Sequence, residues 1–186
     1  MSKALTLYAV QPHGTLGDNA PLMLYTRLSE MLYFADFIAD PENVIELHSM
    51  RIAAKRLRYT LEIFAPAYAE SQEAYAGIIA HIKLCQEQIG DIHDCDVRVV
   101  QIREFLNQNI VKKPEIRIGL ANLIDRETQS RERLYNEFLS SWNGLFAGNS
   151  FEKKLVELVF GARFRSSLQT ANQSHIISQT ASAAKS

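Results

Sequence analysis

Four side chains able to carry positive charge recur at helical spacing in His48–Phe64, HSMRIAAKRLRYTLEIF. His48, Arg51, Lys55 and Arg58 stand at i, i+3, i+7 and i+10, so on a helix they form one stripe along roughly 15 Å. Arg56 lies further round, and Tyr59 sits near the stripe. From Leu47 to Leu61 no acid interrupts the cations; the first is Glu62. A helix shaped only for solubility interleaves Glu with Lys or Arg at i, i+4, because like charges at that spacing repel. Arginine grips phosphate oxygens in pairs, and lysine and protonated histidine add point charges. The pattern therefore fits an anionic ligand, and it equally fits an acidic patch elsewhere in the fold or a solvated basic face.

The stripe needs a helix to carry it. Met50, Ala53, Ala54, Leu57, Leu61 and Phe64 form an apolar line beside it at three- and four-residue spacing. Asp40 is expected to cap this helix, with Pro41 at its first position, and Pro66 to stop it past Phe64. A preceding helix is expected from about Pro21 to Ala39, capped by Asp18 or Asn19, with Leu24, Leu28, Met31, Leu32, Ala35 and Ile38 inward. A third runs from about Ser71 to Ile89 on Ile78, Ile79, Ile82, Cys85, Gln86 and Ile89, and Gly90 ends it. Asp91 or Asp94 caps a fourth, with Val97, Val100, Ile102 and Phe105 as core. Lys112-Lys113-Pro114 breaks the chain, and a long helix follows from about Glu115 to Ser141. Its inner side is Ile116, Leu120, Leu123, Leu134, Phe138 and Trp142. Its charged middle reads as solvated, although Arg126 and Arg133 share a face and could extend a basic lining. Ser150 caps a last helix to about Phe164, with Leu155, Leu158 and Val159 apolar.

The segment LHSMRIAAKRLRYTLEIF resembles the signature of the CHAD family, the conserved-histidine α-helical domains: a histidine, an arginine three residues on, then Lys/Arg-Arg-Leu-Arg-Tyr and an apolar helix end. LCQEQIGDIHDCDV, Leu84 to Val97, is similar to the family's Leu-Gln-x-x-Leu-Gly-x-x-x-Asp element. Together the two cover roughly Arg27 to Trp142. The resemblance implies an all-α fold and non-catalytic binding of inorganic polyphosphate through basic residues on the helices. Carried onto this chain, the site residues are His48, Arg51, Lys55, Arg56 and Arg58, with Lys83 next to the second element; Arg126 joins them from the helical spacing that would extend a basic lining. Family members usually carry the motif twice, around a basic cavity, and this chain carries it once. A homodimer placing two motif helices face to face would rebuild that cavity.

The expected architecture is thus a bundle of about five or six helices: one CHAD-like four-helix repeat plus a C-terminal helix. Residues 1–17 read as a flexible arm, 18–165 as a single domain, and 166–186, rich in Ser, Thr, Gln and Ala, as a disordered tail. The formal net charge of −1 excludes a globally basic nucleic-acid binder, so any anion site arises by segregating charge. The two cysteines fit a reducing, cytoplasmic setting, the resemblance implies association with polyphosphate granules, and no apolar run approaches a membrane span. No cofactor is called for.

Two rival functions remain in view. His48, His93-Asp94 and Asp125 resemble in type the ligands of HD metal-dependent phosphohydrolases, but the gap between the histidines is long and a cationic stripe repels a metal ion. A helical module binding an acidic protein or RNA is the other; RNA binders normally add stacking aromatics, and Tyr59 is the one aromatic near the stripe. Asp94 reads as a helix cap or as an ion-pair partner of a motif-helix arginine. If His48 contacts the anion, binding strengthens as the pH falls toward about 6.

Overall fold

The computed structural model describes residues 4–5, 10–108, 111–146 and 150–161. These residues are all-α: α1 Leu16–Leu32, α2 Val44–Phe64, a 3-10 turn Ala65–Ser71, α3 Gln72–Asn107 and α4 Pro114–Phe146, with a further helical stretch at 150–161. The helix count is lower than the sequence suggests because the expected third and fourth helices are one. The expected tail from 166 lies outside the described residues.

Helix α1 starts at Leu16, earlier than the expected Pro21, because Thr15 caps it. The Thr15 hydroxyl accepts from the Asp18 N–H at 3.2 Å, and the Asp18 carboxylate accepts from the Thr15 N–H at 2.9 Å. Ala20, Leu24, Leu28 and Met31 are completely buried along its inner face. Before α1, the Leu5 N–H donates to the Glu30 carboxylate, which also holds Arg27 at 2.7 Å.

The Asp40-Pro41 pair does not start α2. The Asp40 side chain accepts from the Glu42 N–H at 3.0 Å, closing a local turn that competes with helix. Asn43 is the residue before the helix, and its amide is engaged by the Phe37 carbonyl at 2.9 Å instead of capping. From Val44 onward the expected pattern holds. Met50, Ala53, Ala54, Leu57 and Leu61 are fully buried and Phe64 nearly so. The helix ends at Phe64, before Pro66.

Helix α3 runs 36 residues without a break at Gly90. Its buried positions, Tyr75, Ile78, Ile82, Cys85, Ile89, Ile92, Cys95 and Val99, keep alternating three- and four-residue steps straight past Gly90. A mid-helix glycine costs about 1 kcal/mol relative to alanine, and a long continuous seam against two neighbours offsets that. The register of α3 turns Val97, Val100 and Phe105 outward, at 36%, 51% and 43% exposure, contrary to the expected inner face. Asp94 is likewise mid-helix and caps nothing.

Helices α2 and α4 both pack on α3, and α1 packs on the other side of α2. On α4, Phe138 and Trp142 are buried, Leu120, Leu123 and Leu134 are half-buried, and Ile116 is exposed. Its charged middle is not simply solvated. Arg98 donates to Glu127 at 2.8 Å, and Arg131 bridges Asp96 at 2.5 Å and the Pro41 carbonyl at 2.7 Å. The Tyr135 hydroxyl donates to the Ile38 carbonyl. Through Arg131 and Tyr135, α4 pins the turn that launches α2. Residues Phe151, Leu155 and Val159 of the last stretch join the same core. No helix among the described residues is long and apolar enough to cross a membrane.

This register separates two truncations. Leu57→Ala removes a fully buried side chain and is expected to cost about 2–5 kcal/mol, whereas Val100→Ala on the outward face costs under about 0.5 kcal/mol. Thermal denaturation of the two variants checks the assignment; comparable losses would contradict it.

Candidate functional site: the groove between helices α2 and α3

Helices α2 and α3 run antiparallel, which sets the motif stripe against the second half of the matching pattern. His48 stacks on His93, ring centroids 4.5 Å apart and planes 27° off parallel. One turn along, the Arg51 guanidinium lies over Gly90: a Cβ there would stand 3.3 Å from Arg51 Nε and 3.7 Å from Nη2. Glycine at 90 therefore serves close approach between the helices, not a helix end.

Several polar atoms on α2 and α3 are buried without a hydrogen bond among the described residues: Nδ1 of His48 and Nε of Arg51, which meet α3 directly, Nδ1 of His93 opposite them, and, further along the two helices, Nε of Arg58 and Oε1 of Gln86. Buried polar groups are normally satisfied, so such a cluster marks a place where desolvation has not been compensated from within the chain. The bordering acids do little to neutralise it. Glu62 lies 3.5 Å from Arg58, Glu87 3.8 Å from Lys83, and Asp94 Oδ1 3.5 Å from His93 Nδ1. These carboxylates are 44%, 56% and 61% exposed, in the range where water screens an ion pair to a fraction of a kcal/mol. Asp94 thus meets a histidine, not the motif-helix arginine the sequence suggests. Arg51 and Lys55 have no ion-pair partner among the described residues.

Tyr59 is 44% exposed and takes two cations on its ring, Arg58 at 4.6 Å and Lys55 at 5.8 Å from the centroid. Cation–π contact of this kind holds a charged head near an aromatic face without neutralising it. Burial, the neighbouring His93 and the Arg51 cation all push the His48 pKa below its ordinary value of 6.5. The imidazole is therefore mostly neutral near pH 7.

The expected site residues divide. His48, Arg51, Lys55 and Arg58 share one flank of α2 by helix spacing, where His48 and Arg51 meet His93 and Gly90 of α3, and Lys83, 55% exposed, stands on α3. Arg56 is half-buried and falls on the opposite flank of the apolar stripe by helix geometry. Arg126, on α4, is 72% exposed and 3.7 Å from Glu127, within the separate Arg98–Glu127 cluster. Arg133, expected to share its face, pairs with Glu137 at 2.8 Å. Sequence reading placed His93 only among the ligands of a metal enzyme and assigned Gly90 to a helix end. A His and a Gly three residues apart on the helix facing the stripe were the available signal. Among the described residues, no group of three or more His, Cys, Asp or Glu side chains is placed to hold a metal ion. Cys85 and Cys95 are unbridged and buried, and burial pushes the Cys85 thiol up to about 12.

A family model described as CHAD domain matches residues 4–103, taking in α1, α2 and most of α3. No curated protein and no solved structure matches the chain.

The lowered His48 pKa has a signed consequence. The unfolded histidine binds a proton more readily than the folded one, so acidification below about 6.5 favours the unfolded state. His48 thus contributes a stability present above that pH and lost as the pH falls through the folded value. Denaturant titrations near pH 7.5 and pH 5.5 should show wild type losing more stability between them than His48→Gln; an equal or larger loss in the variant would refute the assignment.

Proposed function

The chain belongs to the CHAD domain family, and on that premise we propose that it binds inorganic polyphosphate in the α2–α3 groove without catalysing a reaction. The observation that carries this reading is the Arg51 guanidinium and the stacked His48–His93 pair meeting between α2 and α3, with nitrogens of all three, and of Arg58 on the same flank of α2, buried without a hydrogen bond among the described residues. A polyphosphate chain offers what these donors lack: closely spaced anionic oxygens that accept hydrogen bonds from a guanidinium in pairs. His48, Arg51, Lys55 and Arg58 present their charges along one helix flank, so successive phosphates meet successive cations with no sequence to read. Lys83, across the groove, adds charge at the rim. Arg56 and Arg126, set apart by the fold, are outer contributors to the field. Each hydrogen bond to a charged partner contributes roughly 1.5–3 kcal/mol before ordering costs. A face-to-face homodimer would present two such grooves to one ligand chain, a multivalent arrangement.

A titration of the folded chain with inorganic polyphosphate at two salt concentrations tests the reading. Wild type is expected to bind, with affinity falling steeply as salt rises through counterion release. Arg51→Ala/Arg58→Ala should weaken binding at least about tenfold at low salt, since two charge-assisted contacts are lost. Failure of folded wild type to bind at low salt would sink the proposal, and retained affinity in the double variant would move the site off α2.

A further inference from the structure

Beyond the arginine and lysine stripe, we infer that His93 is a second imidazole of the same anion site, and that the stacked His48–His93 pair takes up protons when the anion binds. The inference rests on the groove reading above and adds both a residue and a ligand-linked proton count to it.

The geometry carries it. The two rings lie face on, 4.5 Å between centroids, so each is a neighbour the other cannot avoid. Nδ1 of each is buried and makes no hydrogen bond among the described residues. A neutral imidazole can keep a lone pair at such a nitrogen; a protonated one carries N–H donors at both ring nitrogens and seeks an acceptor. Two stacked imidazolium rings repel, and Arg51 adds a third positive charge on the α2 side. On the α3 side, Asp94 approaches His93 Nδ1 at 3.5 Å but is 61% exposed, so it offsets little. Behind α3, Arg131 of α4 has its charge engaged by Asp96. Burial, the facing ring and Arg51 thus all disfavour a charged His48 in the free protein.

An anion seated over Arg51 reverses that balance. Opposite charge within about 4–6 Å raises an imidazole's pKa by one unit or more. Protons then enter with the ligand, and by linkage the slope of log affinity against pH equals the number taken up. A shift of about one unit at one ring corresponds to about tenfold in affinity once the pH is below both values. The internal phosphoryl groups of polyphosphate suit the pair because they stay ionised at neutral pH and accept from N–H groups.

The test is calorimetric titration of the full chain with inorganic polyphosphate near pH 6.5 and pH 8, in two buffers of different protonation heat. The expected result is net proton uptake near pH 6.5, little near pH 8, and about tenfold tighter binding on going from pH 8 to pH 6. His93→Gln and His48→Gln, each checked for a cooperative melt, should each take up fewer protons and show a flatter pH slope. Protons belonging to the ligand's own terminal phosphates are common to all three proteins, so the difference reports the imidazoles. Proton magnetic resonance of the wild-type imidazoles, free and bound, supplies a readout that needs no variant: both should titrate at higher pH when bound. Binding with equal uptake in wild type and His93→Gln, or unmoved imidazole titrations, would overturn the inference while leaving the groove reading intact. Absence of binding at both pH values would instead remove the reading on which it rests.

Discussion

Like charges held side by side are the constraint around which this fold is arranged. Arg51, Lys55 and Arg58 occupy one flank of α2, and two imidazoles stack at its end, with no carboxylate close to Arg51 or Lys55 among the described residues. Between exposed groups about 4 Å apart in water such repulsion is about 1 kcal/mol, and it grows as water is excluded. The offset comes from the other face of the same helix. Six side chains from Met50 to Phe64 are buried there, each contributing on the order of 1–3 kcal/mol by removal from water. The basic flank is thus tolerated because the apolar flank anchors it.

The rest of the molecule fixes the angle at which that flank is presented. Gly90 lets α3 come close enough for the Arg51 guanidinium to lie over its backbone. Arg131 and Tyr135 of α4 hold the carbonyls of Pro41 and Ile38, the turn from which α2 departs. The shortest ion pairs outside α1 engage other cations, Glu127 on Arg98, Asp96 on Arg131 and Glu137 on Arg133, while Glu62 and Glu87 meet Arg58 and Lys83 at 3.5 and 3.8 Å. With a formal net charge of −1, the cationic flank of α2 arises by segregating charge along the chain.

Much of this was legible in the sequence because it is local. The α2 stripe and its apolar companion follow from residue spacing, and every expected core position on α2 is buried. What depends on pairing between helices was not legible. Gly90 has the residue type of a helix end, and only the proximity of Arg51 explains why it sits mid-helix. Asp40-Pro41 carries a helix-start signature, yet the Asp40 carboxylate closes a turn with Glu42 first. Val97, Val100 and Phe105 looked inward because a new helix was assumed to start after Gly90; continuing the α3 register turns them out. The meeting of His48 and His93, 45 positions apart, depends on the antiparallel register of α2 and α3, which neither segment encodes alone.

The length of α3 has a consequence of its own. At about 1.5 Å per residue it extends roughly 54 Å, against about 31 Å for α2. Beyond His93 it soon outruns α2, leaving a two-helix spur with α4. Amide exchange should report two tiers: slow protons where α3 is sandwiched between α2 and α4, faster ones toward Asn107, where helix pairs open below the global unfolding free energy. The spur can fray, or accept sequence change, without loosening the helix segment on which Gly90 and His93 stand.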